Sequence, residues 1–197
     1  MSRLAVLLLA AGVASCATAP APSPVPAKPA APPPSFVIAN PGFEADFAAG
    51  RACPPRWACS AHADGSAFRF LPDATDPAEG KRSLMIERVG NEPWAIVTQS
   101  FKAESLRGQR VRFTLSVRTQ GVTGDGAGAW LLVRGGSEVL DHQIRRLHGT
   151  NGWQRQSIEV VLSPQAEHLA VGGTLEGGGR VWIDDAKLEI LGPPAGR

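Results

Sequence analysis

The clearest pattern along the chain is an alternation of apolar and polar residues with a period of two. Between residues 110 and 118 the apolar positions are Val111, Phe113, Leu115 and Val117, and every residue between them is polar. Successive side chains of a β-strand point to opposite faces, so this segment is predicted to be a strand with one buried and one solvated side. Residues 168–175 have a similar alternation and predict a second strand of this kind.

Short segments with strand composition occur throughout the remainder of the chain from residue 36 onward. They lie at 36–38, 67–71, 83–89, 95–101, 129–134, 139–143, 154–162 and 180–190. Glycine- and aspartate-rich turn signals separate many of them, at 64–65, 73–77, 124–126, 135–136, 151–152 and 177–179. No segment has the apolar period of an amphipathic helix over ten residues or more. This pattern predicts an all-β domain, a two-layer antiparallel β-sandwich.

The N-terminus has the pattern of an export signal. Arg3 is followed by an apolar run at 4–14, which at about 1.5 Å per helical residue covers roughly half of a bilayer core. Residues 13–16, Val-Ala-Ser-Cys, resemble a bacterial lipobox and predict lipidation of Cys16 after removal of a signal peptide at 1–15. An ordinary signal peptide with an incidental cysteine is the alternative. Ala17 resembles the residue type that directs lipoproteins to the outer membrane, so the chain is expected to face the periplasm there.

Residues 16–35 are predicted to be a lipidated cysteine and a tether. The segment 17–35 contains eight prolines and six alanines, with Lys28 as its only charge. Such a composition favours extended polyproline II at about 3.1 Å per residue, which gives a reach of up to roughly 60 Å. A ligand for a proline-recognition domain is the alternative interpretation. The domain proper is assigned to 36–192 and a short tail to 193–197.

The charges of the domain are balanced. The chain has 20 Lys and Arg against 18 Asp and Glu, and two of the cations, Arg3 and Lys28, precede the domain. A neutral domain without a basic cluster argues against nucleic acid as a partner.

Two cysteines remain after Cys16. Cys53 and Cys59 are separated by five residues, and in an oxidising compartment they are predicted to form a structural disulfide. A redox-active pair usually has two intervening residues, and a metal site would need two further soft ligands.

Four local motifs together resemble the carbohydrate-binding modules of the CenC type, whose fold is a galactose-binding-like jelly roll. They are Asn-Pro-Gly-Phe-Glu at 40–44, Glu-Gly-Lys-Arg-Ser-Leu at 79–84, the strand at 106–115, and Arg-Val-Trp-Ile-Asp-Asp-Ala-Lys-Leu at 180–188. The resemblance covers 36–191. From 108 to 191 it is closer to the version of this domain attached to some bacterial transcription regulators and envelope proteins.

In such modules a structural calcium ion often joins the first and last strands. The resemblance implies a site built from carboxylates and backbone oxygens, with Asp185 as a second choice beside Asp184. The candidate ligands are Gly42, Glu44, Glu79, Lys81, Asp184 and Asp185. Calcium prefers six to eight hard oxygen ligands, which suits this set. The alternative is that these acids cap turns or pair with Arg180 and Lys187.

Sugar binding needs an aromatic platform with polar hydrogen-bonding groups beside it. Trp130 and Trp94 are the candidate platforms, and Arg134 and Asp141 the candidate hydrogen-bonding residues. Trp153 and Trp182 are expected in the core, and Trp57 over one end of the sandwich. The polar side chains at 112, 114, 116 and 118 either line the same groove or form a solvated face.

No catalytic motif is present. The four histidines, His62, His142, His148 and His168, belong to no HExxH arrangement, and no GxSxG sequence occurs. The sequence therefore predicts a protein that is not an enzyme: an envelope lipoprotein whose module binds glycan or another polar ligand. The alternatives are a protein–protein adaptor without sugar binding and the accessory module of a larger enzyme.

Overall fold

The computed structural model describes residues 36–47 and 53–194. The signal peptide, Cys16, the tether and the last three residues lie outside them. Nine strands account for most of the described chain: β1 Ala58–Ala61, β2 Phe68–Asp73, β3 Ser83–Arg88, β4 Ala95–Lys102, β5 Arg110–Gly135, β6 Glu138–Ile144, β7 Leu147–Val161, β8 His168–Glu176 and β9 Arg180–Gly192. Within these ranges the helical structure is two three-residue 3₁₀ turns, and no helix is long or apolar enough to cross a bilayer.

The strands form two antiparallel layers that share β5. The first half of β5 pairs with β9 and β7, and β9 continues through β3 to β2. We call this layer sheet I, with the order β2-β3-β9-β5-β7. The second half of β5 pairs with β8 and β6, and β8 continues through β4 to β1. This layer is sheet II, with the order β1-β4-β8-β5-β6. The predicted all-β sandwich is confirmed.

A contact between the layers shows how closely they pack. A Cβ atom at Gly173 of β8 would lie 3.1 Å from Ile183 of β9 and 3.4 Å from Leu115 of β5. Phe113, Leu115, Ile183, Val171 and Leu175 are all fully buried. The apolar positions that alternate in the sequence are therefore the inner faces of the two sheets, and the polar positions between them face outward.

The prediction of a turn at 124–126 is wrong. The glycines between residues 121 and 126 have positive φ angles, 60° at Gly121, 70° at Gly124 and 104° at Gly126. Glycine adopts such angles without steric cost, so β5 bends from sheet I into sheet II without ending.

The predicted opening strand at 36–38 is also wrong, because Phe36–Ile38 belong to no strand. The backbone of Ala39 is instead hydrogen-bonded to the side chain of Gln99.

The disulfide Cys53–Cys59 is confirmed. The loop that it closes carries Trp57, whose indole packs on Phe43 at 5.0 Å between ring centroids and donates to the Asn40 carbonyl at 3.0 Å. Trp57 thus covers one end of the core, as the sequence predicts.

Candidate functional site

Three side chains form a row across the outer face of sheet I. Arg118 on β5 lies opposite Trp182 on β9, and its guanidinium carbon is 4.2 Å from the centroid of that ring. On its other side the same carbon is 5.3 Å from the centroid of Trp153 on β7. A guanidinium over an indole face is attracted by the ring quadrupole, so the row is held together across three strands.

The loop after β2 closes over this row. Asp73 accepts from the Trp182 indole at 2.6 Å, and Asp76 accepts from Arg118 at 2.6 Å. The Asp76 carbonyl accepts from the Trp153 indole at 3.0 Å. These bonds satisfy the polar atoms of both indoles and fix the loop, so the row and the loop form one ordered unit.

A cavity of about 480 Å³ opens beside this unit. We call it the Arg118 cavity. Trp182 supplies an apolar wall, although the ring is only 7% exposed. The other walls are rich in hydrogen-bonding groups of every kind, acid, hydroxyl, guanidinium and amide: Asp73, Thr75, Arg118, Thr119, Gln120, Thr150 and Asn151. Many hydroxyl and amide groups beside an aromatic wall suit a ligand with many hydroxyls.

Asp73 is the acid of this cavity. Burial on its own would raise the pKa of Asp73, but hydrogen bonds from Thr75 and from the Trp182 indole, with the charge of Arg118, together lower it below its ordinary value. The carboxylate is therefore ionised at neutral pH and available as a hydrogen-bond acceptor.

The residues predicted to bind sugar lie mainly on the other sheet. Trp130 and Arg134 share the outer face of sheet II, since they alternate along β5 with core residues. Trp130 is only 8% exposed, with the His142 ring against it at 5.6 Å. Trp94 precedes β4 and contacts His62 at 6.0 Å. Trp130 of β5 and Thr98 of β4 are both level with Gly172 of β8, which lies between them. Trp94 precedes Thr98 by four positions along the chain, or about 13 Å. Trp94 and Trp130 therefore do not share one compact site.

Asp141 is not on the face of Trp130. It lies opposite the buried Val133, whereas Ile144 lies opposite Trp130. Positions 141 and 144 differ by an odd number, so their side chains point to opposite sides of β6. Asp141 instead accepts from Gln143 at 3.2 Å. The structure therefore contradicts the placement of Asp141 beside Trp130 in one groove.

The residues predicted to bind calcium do come together. Gly42, Glu44, Glu79 and Asp185 line one cavity of about 360 Å³, with Lys187 at its wall. The side chain of Glu44 accepts from the backbone amide of Lys81 at 2.7 Å. The resemblance thus identified a real junction between the first described segment and the last strand.

Asp184 at this junction is fully buried and hydrogen-bonded to three backbone amides. One oxygen accepts from Ala78 at 2.9 Å and from Glu79 at 3.0 Å, and the other accepts from Asp185 at 2.7 Å. Burial raises the pKa of Asp184, and these amides offset only part of that effect. The three backbone N–H groups stabilise the negative charge of the carboxylate, as a bound cation would.

Two further acids of this junction also have hydrogen-bonding partners. One oxygen of Asp185 is paired with Arg155, and one oxygen of Glu44 accepts from both the Lys81 and the Arg82 amides. Among the described residues no group of three or more His, Cys, Asp or Glu side chains is placed to hold a metal. Calcium binding at this junction stays a prediction. The alternative of a pairing with Arg180 is not observed, because that guanidinium bonds Glu87 instead.

Sequence reasoning missed the Arg118 cavity. In the sequence, Asp73, Thr75 and Asn151 were interpreted only as turn residues, although Asp73 ends β2 and Asn151 lies in β7. Trp153 and Trp182 were interpreted as core residues. The available signal was the alternation itself, which places Arg118 and Trp182 on outer faces of neighbouring strands. Nothing in the sequence marks these two strands as neighbours.

Comparisons with known proteins agree with the fold. No protein-family model matches the sequence. Over 112 residues the chain is 28% identical to a Bacillus subtilis (strain 168) protein described as an uncharacterized HTH-type transcriptional regulator, YbfP. The alignment covers 55% of this chain and 37% of the regulator, so the chain spans little more than a third of that protein.

Solved structures with a similar fold include several carbohydrate-binding modules. TmCBM61, solved with β-1,4-galactotriose, is 16% identical with a TM-score of 0.51, over 77% of this chain and 95% of that one. The C-terminal family 22 module of Clostridium thermocellum Xyn10B is 15% identical with a TM-score of 0.51, over 79% and 93%. The CBM22-1 xylan-binding domain of Paenibacillus barcinonensis Xyn10C is 14% identical with a TM-score of 0.51, over 78% and 93%. The domain is thus a jelly-roll β-sandwich of the kind found in carbohydrate-binding modules.

Proposed function

We propose that this protein is a non-catalytic, lipid-anchored envelope protein whose β-sandwich binds glycan in the Arg118 cavity. The observation that carries the proposal is the composition of that cavity, in which one tryptophan wall stands beside acid, hydroxyl, guanidinium and amide groups. The shared fold of the carbohydrate-binding modules supports it.

The cavity offers a sugar both kinds of contact that it needs. A pyranose ring presents apolar C–H groups, for which the Trp182 wall is suited, and hydroxyls that both donate and accept. Asp73 accepts, Arg118 donates, and Gln120 and Asn151 do both. Asp73 already bonds the Trp182 indole, and Asp76 bonds Arg118 and the Trp153 indole. Asp73 and Arg118 are therefore held in place before a ligand arrives, which lowers the entropy lost on binding.

The outer face of sheet II is the second candidate site. Trp130 lies there with Arg134 on its own strand, and Trp94 precedes β4 in the same sheet. Trp130 is 8% exposed and Trp182 7%, so ring exposure does not distinguish the two sites, and the preference for the Arg118 cavity rests on its polar walls.

Substitutions in the two sites distinguish them. We expect Thr75→Val and Gln120→Ala each to weaken binding to the glycan that the full chain recognises on an array by about tenfold, since one lost hydrogen bond costs about 1 kcal/mol or somewhat more. Thr75→Val keeps the side-chain shape, and Trp130→Ala serves as the matched variant on sheet II. Unchanged binding in both cavity variants, with loss in Trp130→Ala, would move the site to sheet II.

A chain that binds no glycan but retains one stoichiometric protein partner from solubilised envelope would favour the adaptor alternative. The control for folding is the thermal transition of each variant, followed by tryptophan fluorescence; the chain has five tryptophans, of which Trp130→Ala keeps four.

The anchor has a separate test. Cys16 lies outside the described residues, so the proposal rests on the sequence. Cells fed a radioactive fatty acid should label the wild-type chain and not the Cys16→Ser variant. An unlabelled wild-type chain would remove the lipid anchor, and with it the proposed attachment to the periplasmic face of the outer membrane.

A further inference from the structure

Three basic side chains form a row across one end of the outer face of sheet II. His168 on β8 lies directly opposite Lys102 on β4 and directly opposite Arg134 on β5. Each of the three follows or precedes a residue that packs in the core, so all three point outward, and all three are exposed. Neighbouring strands are about 4.8 Å apart, which brings the three basic groups close together. We call this set the Lys102 row.

The charged rows on the outer face of sheet I are arranged differently, because their charges alternate in sign. Arg112 lies between Glu159 and Glu189, at 2.7 and 3.9 Å from their carboxylates. The row that contains Glu87 has a guanidinium on each side of that acid in the same way. Like charges directly opposite one another destabilise a sheet. The Lys102 row therefore has a cost that a bound anion would remove.

The acids nearest to the Lys102 row in the sequence do not neutralise it. Glu167 accepts from the backbone amide of Gly136 at 3.0 Å. Glu138 directly precedes the outward-facing Val139 and so points to the other side of β6. Glu104 lies beyond the end of β4, in the 3₁₀ turn that follows it. Across residues 36–47 and 53–194, none of the three basic side chains is in an ion pair with an acid.

Exposed apolar side chains lie on both flanks of the Lys102 row. Val139 on β6 lies opposite Arg134 and continues the row, and it is 49% exposed. On the other flank Val37 is 70% exposed and lines one cavity with Ser100 and Phe101 of β4. Cations beside small apolar groups suit a membrane interface, where phosphate headgroups meet the ends of acyl chains.

The chain also enters the sandwich beside this row. The predicted tether ends at residue 35, and the ring of the next residue, Phe36, packs on Phe101 with 6.1 Å between ring centroids. Phe101 directly precedes Lys102 on β4. The point at which the tether joins the domain is therefore next to the basic row.

We propose that the Lys102 row docks the domain onto the anionic phospholipid surface to which the chain is anchored. This inference rests on the lipid anchor of the proposed function. Ammonium and guanidinium groups form charge-assisted hydrogen bonds with phosphate oxygens. Such a contact is weak for a free protein, but a tether gives the domain a high effective concentration at the membrane. The Arg118 cavity lies on the opposite outer face, so docking leaves it open to a glycan.

The test measures how close the domain lies to a membrane of known charge. The lipidated full chain is reconstituted in vesicles of phosphatidylcholine alone or with an equal amount of phosphatidylglycerol, each with a trace of a dansyl-labelled headgroup. Energy transfer from tryptophan to dansyl reports the docked fraction. Trp130 is a suitable donor, because it lies four residues, or about 13 Å, from Arg134 on β5.

The expected effect follows from the two permanent cations of the row. Each Lys or Arg near an anionic surface should raise the ratio of docked to undocked domain about fivefold, so anionic vesicles should exceed neutral ones by about 25-fold. High salt should remove the difference, because the row is open to solvent.

Substitutions locate the contact. Lys102→Gln and Arg134→Gln should each lower the docked-to-undocked ratio on anionic vesicles about fivefold, and the double variant about 25-fold. Arg69→Gln is the matched control, since it makes the same change at an exposed residue on the outer face of sheet I. It should change the ratio by no more than about twofold.

The outcomes separate this inference from the proposed function. Equal energy transfer in neutral and anionic vesicles, a preference that survives the double variant, or an equal loss in Arg69→Gln would each overturn docking through the Lys102 row. In those cases the anchor and glycan binding through Thr75 still stand. A chain that floats with neither kind of vesicle lacks the anchor, and then the anchor and the docking inference both fall.

Discussion

The junction at Asp184 provides the sharpest test of how this sandwich is held together. The carboxylate is fully buried and accepts from the amides of Ala78, Glu79 and Asp185. Asp184→Asn keeps the size of the side chain but leaves one acceptor oxygen and adds an NH₂ group. The Asn side-chain amide can be placed in two orientations. In the more favourable one, its oxygen retains the bonds from the Ala78 and Glu79 amides. Its NH₂ group then faces the backbone N–H of Asp185, so two hydrogen-bond donors meet and neither is satisfied.

The expected loss follows from those contacts. A hydrogen bond to a charged group contributes about 1.5–3 kcal/mol and a neutral one about 1 kcal/mol. One bond disappears and two change from charged to neutral acceptors, which sums to roughly 2.5–7 kcal/mol. Removing a buried charge whose pKa is raised by burial offsets part of this. We therefore expect Asp184→Asn to lower the free energy of unfolding by about 3 kcal/mol.

The neighbouring residue offers a matched control. Asp185→Asn makes the same chemical change one position along, at a residue with a φ of 45°, which Asn tolerates. It removes a partly exposed ion pair with Arg155, and such pairs contribute about 0.2–1 kcal/mol.

Urea unfolding followed by tryptophan fluorescence measures both variants. With a slope of about 2 kcal/mol per molar urea, a 3 kcal/mol loss moves the midpoint by about 1.5 M. An Asp184→Asn midpoint within experimental error of the wild type, or equal effects of the two variants, would refute the reasoning. Repeating the series with calcium and with a chelator tests the calcium prediction, which requires a stabilisation by calcium that Asp184→Asn abolishes.

Two further predictions concern the stability of the domain. Reducing Cys53–Cys59 releases a short loop, seven residues from cysteine to cysteine, and should lower the free energy of unfolding by about 2 kcal/mol in the chain-entropy model; a Cys53→Ser, Cys59→Ser chain that melts like the wild type would contradict this. The pKa of Asp73 is lowered from its ordinary value of 3.8 in the folded state, so its contribution is fully present above pH 3.8 and is lost as the pH falls through the lowered pKa. The difference in unfolding free energy between wild type and Asp73→Asn should therefore shrink between about pH 6 and about pH 2, and a constant difference would show that the Asp73 charge is not involved.

The sequence predicted the two layers of the fold because the alternation of apolar and polar residues shows which side chains of a strand are buried. Val111, Phe113, Leu115 and Val117 are all fully buried, as their spacing requires. The pattern failed between residues 118 and 129, where glycines separate two alternating segments. Glycine signals a turn in most contexts, but here it lets one strand change sheets, and single-sequence patterns do not distinguish the two.

The site was predicted less well than the fold because it depends on which strands are neighbours. The calcium candidates Glu44, Glu79 and Asp185 were brought together correctly because a resemblance supplied their spatial relation. No such information existed for Arg118, which lies 64 residues from Trp182 in the chain but is its direct neighbour across the strands. A tryptophan in an outer row, covered by a guanidinium, is indistinguishable in sequence from a core tryptophan.

The length of β5 has a consequence for how the domain unfolds. Its 26 residues contribute hydrogen bonds to both sheets, so neither layer retains its central strand when the other opens. In a partly unfolded state with one intact sheet, β5 would have to keep its hydrogen bonds along one half and lose them along the other. Amide hydrogens in the middle of both sheets are therefore expected to exchange with solvent at similar rates, through global opening.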